Sequence, residues 1–189
     1  MTRIVAEDGK ALAVTLLEAE PNVVTKILTK EKDGYDALQL GMGTSRKLKK
    51  PQKEALRGLG QFRYLKEIRG RAEGVKVGDR VTLEIFTPNE EVGIRGISKG
   101  KGFAGTVKRH GFHRGPTTHG HDHHRAPGSI GAMGISRVLP GRRMAGRMGN
   151  ERITLKKVKV VAVDKESHQL LVAGGVPGSR NSLVIVFKR

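Results

Sequence analysis

The chain has no cysteine and no tryptophan, and its 18 acidic residues stand against 36 Lys and Arg. Each shortage removes a class of function. Without cysteine there are no disulfides, no thiolate zinc sites and no cysteine nucleophile, and the chain suits a reducing compartment, the cytoplasm. No stretch approaches the run of about 18 apolar residues that spans a bilayer, and the opening MTRIVAEDGK lacks the apolar centre of a signal peptide. Nor does any helix pair a basic face with a Trp- or Phe-rich one, so no membrane partner is expected. The scarcity of acids leaves a net charge of +18 on 189 residues. Such a chain repels itself unless a polyanion neutralises it, and nucleic acid is the expected partner.

What is present reads as mainly β structure. Between Ala11 and Leu40, short runs rich in Val, Leu and Ile are separated by Pro21-Asn22 and by Lys32-Asp33-Gly34, which are turn chemistries. A lysine-rich piece follows, in which Pro51 opens an expected helix over Gln52 to Leu59 and Gly60 closes it. Phe62 to Arg69, Val81 to Phe86 and Val92 to Ile97 read as strands, the second running into the turn Thr87-Pro88-Asn89. Ile153 to Asp164 alternates, Lys165 to His168 makes a turn, and Gln169 onward returns as a hairpin partner. Ser182 to Arg189 ends the chain as another strand. The expected organisation is a globular part over 1–92 and 151–189, with the helical insertion at about 44–60, and an extended loop over 93–150.

That loop differs in kind from the rest. It holds 14 of the 26 glycines, six of the seven histidines, and 11 Lys or Arg against one acid, Asp122. A structureless stretch of this length inside a compact domain ordinarily lacks partners for its backbone and compensation for its ordering entropy. Here the composition names the compensation: a charge that cannot be neutralised internally and too little apolar content for a private core call for an ordered, negative partner. Glycine lets the backbone approach phosphates and sugars, and Arg offers phosphate a planar fork and bases a stacking face. An arm threaded through RNA has these needs. A permanently disordered tail fits less well, because the segment is internal and carries Ile130, Met133, Ile135, Val138, Leu139, Met144 and Met148.

Several motifs suggest other chemistry and lack its context. Gly100-Lys101-Gly102-Phe103-Ala104-Gly105 matches the dinucleotide pattern G-x-G-x-x-G, but the following residues are broken by Gly111 and by Gly115-Pro116 where a helix is required. A P-loop fails because Arg95 stands where its first glycine belongs and Gly102 replaces Ser or Thr. Phe103 to Arg109 instead suggests one or two helical turns packing Phe103 and Val107 inward. The histidines between His110 and His124 have no cysteine beside them, one carboxylate, and no zinc-type spacing, so no metal or other cofactor is expected. Imidazole also stacks on bases and donates to phosphate or ribose. Ser129 lies near His124 but lacks the G-x-S-x-G elbow, and no paired carboxylates or activated nucleophile occur, so the chain is not expected to be an enzyme or to take a small-molecule substrate.

Ser98 through Gly105, Gly120-His121 with His124 through Gly131, Met144-Ala145-Gly146 and Gly149-Asn150-Glu151-Arg152 together resemble bacterial ribosomal protein three of the large subunit. Leu170-Leu171-Val172, Val176-Pro177-Gly178 and Glu31 to Tyr35 extend the resemblance over essentially the whole chain. It implies a translation-protein-type antiparallel β-barrel with a small α/β insertion, seated on the large ribosomal subunit beside neighbouring ribosomal proteins and binding 23S-type rRNA from an early stage of assembly. Lys99, Lys101, Lys108 and Arg109 become RNA contacts on this basis, with His110, His113 and Arg114 after them. His119, His121, His123, His124 and Arg125 follow, and Arg137, Arg142, Arg143 and Arg147 complete the set. Gly128, Ser129, Ile130, Gly131, Ala132 and Met133 become the loop tip near the peptidyl transferase centre. Two departures from the family pattern stand out: its members carry a further N-terminal segment forming a first strand, and the stretch after Gly131 is one residue shorter here. A free-standing RNA chaperone or regulator is the competing expectation, sharing the charge and the glycine but sedimenting apart from ribosomal subunits.

Overall fold

A computed structural model of the chain describes residues 1–5, 9–70 and 74–188. It is mainly β, with antiparallel pairing in every strand pair whose register is resolved. The chain divides into two compact units, Met1–Val92 with Lys157–Gly175 and Gly93–Lys156 with Val176–Arg189.

In the first unit, β1 (Thr2–Val5) pairs with β2 (Ala11–Glu18), and β11 (Gln169–Ala173) lies between β2 and β10 (Arg152–Asp164), which belongs to this unit from Lys157 onward. The β10–β11 hairpin turns at the expected place, because Asp164 accepts from the backbone amides of Glu166 and Ser167 and His168 takes a positive φ of 54°. Val14, Val160, Leu170 and Val172, all fully or almost fully buried, form the core of this sheet. A second sheet has the order β5 (Phe62–Arg69), β4 (Ala37–Thr44), β3 (Asn22–Leu28), β6 (Arg80–Val81). β3 bulges between Val24 and Lys26, and the buried Thr25 hydroxyl turns to Gln39, 2.9 Å from its side-chain oxygen. Gly41 is required on β4 because a Cβ there would stand 2.6 Å from the Phe62 ring.

Three local expectations are corrected. The Lys32-Asp33-Gly34 turn is the end of a one-turn helix, α1 (Lys30–Asp33), stopped by Gly34 at φ 82°. The second helix, α2 (Lys50–Ala55), begins and ends earlier than expected, with buried Leu56 at its C-terminus and irregular turns carrying the chain to Gly60. Val81 to Phe86 is not one strand. After the two residues of β6 the chain makes a 3-10 turn over Leu83–Ile85, because Leu83 and Phe86, three apart, are both buried, and strand alternation would place them on opposite faces.

The second unit contains the loop. β7 (Glu91–Ile97) runs through its start, and β12 (Val184–Phe187) pairs with β7 from Gly96↔Val184 to Gly93↔Phe187. Ile94 is completely buried here, and the Arg95 guanidinium lies 5.4 Å from the Phe187 ring centroid while its Nε donates to Thr154.

Candidate nucleic-acid interface

Beyond β7 the outgoing and returning arms of the loop are zipped together. The Ser98 amide donates to the Glu151 carbonyl at 2.9 Å, the Asn150 amide to the Ser98 carbonyl at 3.2 Å, and the Glu151 amide to the Ser98 hydroxyl at 3.2 Å. Lys101 then donates to Met148 at 2.9 Å and Met148 to Gly102 at 3.0 Å. The ladder ends in β8 (Phe103–Ala104) against β9 (Gly146–Arg147), with Phe103 opposite Arg147 and Ala104 opposite Gly146. Gly149 makes the close approach possible: its φ is 73°, and a Cβ on it would overlap the Lys99 carbonyl oxygen.

A short helix, α3 (Thr106–His110), sits on the end of this stem and stops at Gly111 in the left-handed region. Its basic C-terminal end grips the returning arm. Arg109 donates to the Met144 carbonyl at 2.8 Å, and His110 Nε2 lies 3.1 Å from the same oxygen. Gly146 leaves room for the guanidinium, since a Cβ there would come within 2.6 Å of Arg109. The inward side chains of this region are Ala104 and Thr106, whereas Phe103 is 81% exposed. This corrects the expected packing of Phe103. The alternation of β8 sends only one of Phe103 and Ala104 inward, and the enclosed position holds the smaller one.

Past Gly111 to Gly141 there is neither helix nor strand, only short-range contacts. Gly115 donates to the His124 carbonyl at 3.0 Å and His124 Nδ1 lies 2.8 Å from the Pro116 carbonyl, closing a small lobe. Inside it His121 Nδ1 accepts the His123 amide, with the His121 ring 6.5 Å from the rings of both His123 and His124. A second lobe forms where Arg142 reaches back to the Ser129 carbonyl while the Ser129 hydroxyl donates to the Gly131 carbonyl at 2.9 Å. Ile130, Met133, Ile135, Val138 and Leu139 all remain exposed in it.

The expected contact residues therefore fall into groups. Arg109, His110, His124 and Arg142 use polar atoms to hold the loop's own backbone. Lys99, Lys101 and Arg147 stand on the stem, Lys108 on α3, and His113, Arg114, His119, Arg125, Arg137 and Arg143 along the lobes, all exposed. Among the described residues none of the loop's cations forms an ion pair with a carboxylate. The result is a narrow arm with positive charge along its length, which suits a phosphate backbone and leaves the arm poorly neutralised in water. No group of three or more potential metal ligands occurs among the described residues. The stem itself was beyond sequence reading, its only signal being the paired placement of glycines at 100, 102, 146 and 149.

The family model described as Ribosomal protein L3 matches residues 72–175. The chain is 49% identical over 191 residues to the Large ribosomal subunit protein uL3 of Carboxydothermus hydrogenoformans, a match covering 98% of this chain and 91% of that protein. It is 49% identical over 192 residues to the protein of the same name from Herpetosiphon aurantiacus and 45% identical over 191 residues to that from Bacillus cytotoxicus, with the same coverage. A family model that matches more than half of the chain, joined to relatives of this identity along nearly all of it, carries one conclusion: the chain belongs to the ribosomal protein L3 family.

Proposed function

We propose that this chain is a structural constituent of the large ribosomal subunit and no enzyme, acting in the cytoplasm, and that it binds large-subunit rRNA through the loop at 93–150. The globular part over 1–92 and 151–189 anchors it among neighbouring ribosomal proteins and nucleates assembly, and the tip at Gly128 to Met133 approaches the peptidyl transferase centre. The observation that carries this reading is an arm braced by a hydrogen-bonded stem, with exposed cations along its length that pair with no carboxylate among the described residues. Rigid at its base and uncompensated along its length, such an arm gains order and neutralisation together when it enters folded RNA.

Sedimentation of a cell extract through a sucrose gradient tests this. The protein is expected almost wholly with large subunits, and a chaperone or regulator would remain near the top. Binding to a large-subunit rRNA fragment is expected to weaken steeply with salt, six phosphate contacts giving a log-log slope of about −4 on the single-strand coefficient. An affinity indifferent to salt would contradict the electrostatic basis of the proposal.

A further inference from the structure

Of the five phenylalanines in the chain, Phe62, Phe112 and Phe187 are half-buried and Phe86 is buried, but Phe103 is 81% exposed. A single exposed apolar residue ordinarily needs no explanation. This one has three properties that point to a ligand. First, it is held rigidly: β8 pairs with β9 at this residue, and the next residue, Ala104, is buried, so the backbone presents the ring outward and the alternation prevents it from turning in. Second, it has open space beside it. The residue is 81% exposed, and a Cβ added to Gly105, two residues further on, would meet no atom within 4 Å, which leaves room on that side for a flat group. Third, its cross-strand partner is Arg147, and directly opposed residues share a face with Cβ atoms about 5 Å apart. Lys101 precedes it by two residues, and no carboxylate pairs with either cation among the described residues.

Resting on the RNA-binding reading above, we propose that Phe103 and Arg147 form a base-stacking platform at the neck of the loop, which takes an unpaired nucleobase of RNA on the Phe103 ring and its phosphate on the Arg147 guanidinium. An aromatic face recognises any base, because every base has a π-face, and a neighbouring cation secures the linking phosphate. A duplex offers only stacked, paired bases and fits poorly. An apolar protein partner would use the ring equally well but gives no role to the facing guanidinium and the nearby Lys101, and this charge favours RNA.

The chain contains no tryptophan, so Phe103→Trp introduces a single reporter at the site itself. The full-length variant is titrated with a single-stranded RNA oligonucleotide and, separately, with a fully paired RNA duplex of equal length. Stacking predicts quenching of the indole fluorescence by the single strand and little by the duplex. Phe103→Ala is expected to weaken single-strand binding about tenfold without altering its salt slope, since no charge is lost, while Phe103→Tyr retains it. Arg147→Ala is expected to lower the slope by about 0.7, one phosphate contact. Unchanged affinity in Phe103→Ala, or indole fluorescence indifferent to a single strand that still binds in a salt-dependent manner, would overturn the platform and leave the RNA-binding reading intact. Absence of salt-dependent RNA binding by the unaltered chain would overturn both. Circular dichroism identifies any variant that fails to fold, and Phe103→Tyr, changed by one hydroxyl on an exposed ring, keeps the comparison available.

Discussion

Replacing Gly149 with alanine tests whether the loop is braced at its base. The backbone there has φ 73°, a conformation that costs an L side chain about 1–2 kcal/mol. The added Cβ would also overlap the Lys99 carbonyl oxygen and stand 3.2 Å from the Gly100 Cα, both backbone atoms without a flexible side chain to move aside. Relief requires the arms to part, which loosens the Lys101-to-Met148 and Asn150-to-Ser98 hydrogen bonds, each contributing about 1 kcal/mol. Together these terms destabilise the stem by about 3–4 kcal/mol, or roughly 150- to 1000-fold in its opening equilibrium. Native-state hydrogen exchange reads this at the amides of Lys101, Met148 and Asn150, which should exchange faster by that factor. The Val24 amide, bonded to Asp79 in the other unit, should keep its rate. Gly102→Ala is the control: its φ is 65° but no atom lies within 4 Å of the new Cβ, so only the conformational cost remains, giving about a tenfold change. If the two variants exchanged alike, the close approach of the arms at Gly149 would not be what limits the stem.

Other perturbations address other parts of the chain. In the free protein trypsin should cut first at Arg114, Arg125, Arg137 and Arg143, which are exposed on a segment without helix or strand, and bound rRNA should protect them; equal resistance of loop and strands in the isolated protein would refute this. Hydrogen bonds from Ser167 hold the Asp164 carboxyl below its ordinary value, and one from Lys26 does the same for Asp33. A depressed folded pKa contributes stability above the unfolded value near 3.8 and loses it as pH falls through the folded value, so urea midpoints should drop below about pH 4 and Asp164→Asn should flatten that dependence. At the tip, Gly131 has only the Arg137 carbonyl at 4.0 Å and Met133 is wholly exposed, so Gly131→Arg or Met133→Asp should leave folding and subunit assembly intact. Peptide-bond formation or susceptibility to drugs acting at the catalytic centre should change in the mutant subunits, and normal values in both assays would sink the functional role of the tip.

Elements with a strong period were legible from residues alone. Phe62 to Arg69 forms β5 with the expected bounds, and the β10–β11 hairpin turns at Lys165 to His168 because alternation and turn chemistry agree there. β1 was not anticipated, since four residues carry no period and its place depends on pairing Thr2 with Val14. Val81 to Phe86 misled because β-branched and aromatic residues suggest a strand, while the burial of Leu83 together with Phe86 imposes a turn. The charge of the candidate interface was fully visible, being a matter of composition. Its framework was not: β8 and β9 have two residues each, and their pairing joins positions more than 40 apart. Phe103 shows the consequence, because without the ladder nothing indicates that Ala104 rather than its neighbour is enclosed.

The stem also makes the rest of the loop a closed ring, with 41 residues between Ala104 and Gly146. The chain entropy of closing a flexible ring grows only with the logarithm of its length, so inserting or deleting one residue changes it by about 0.02 kcal/mol. The clasp is therefore nearly indifferent to how many residues it encloses. A tip lengthened or shortened by one residue would leave the ladder untouched. Length changes beyond Gly111 and before Gly141 consequently alter reach without altering the foundation, whereas a single added methyl group at Gly149 does the reverse.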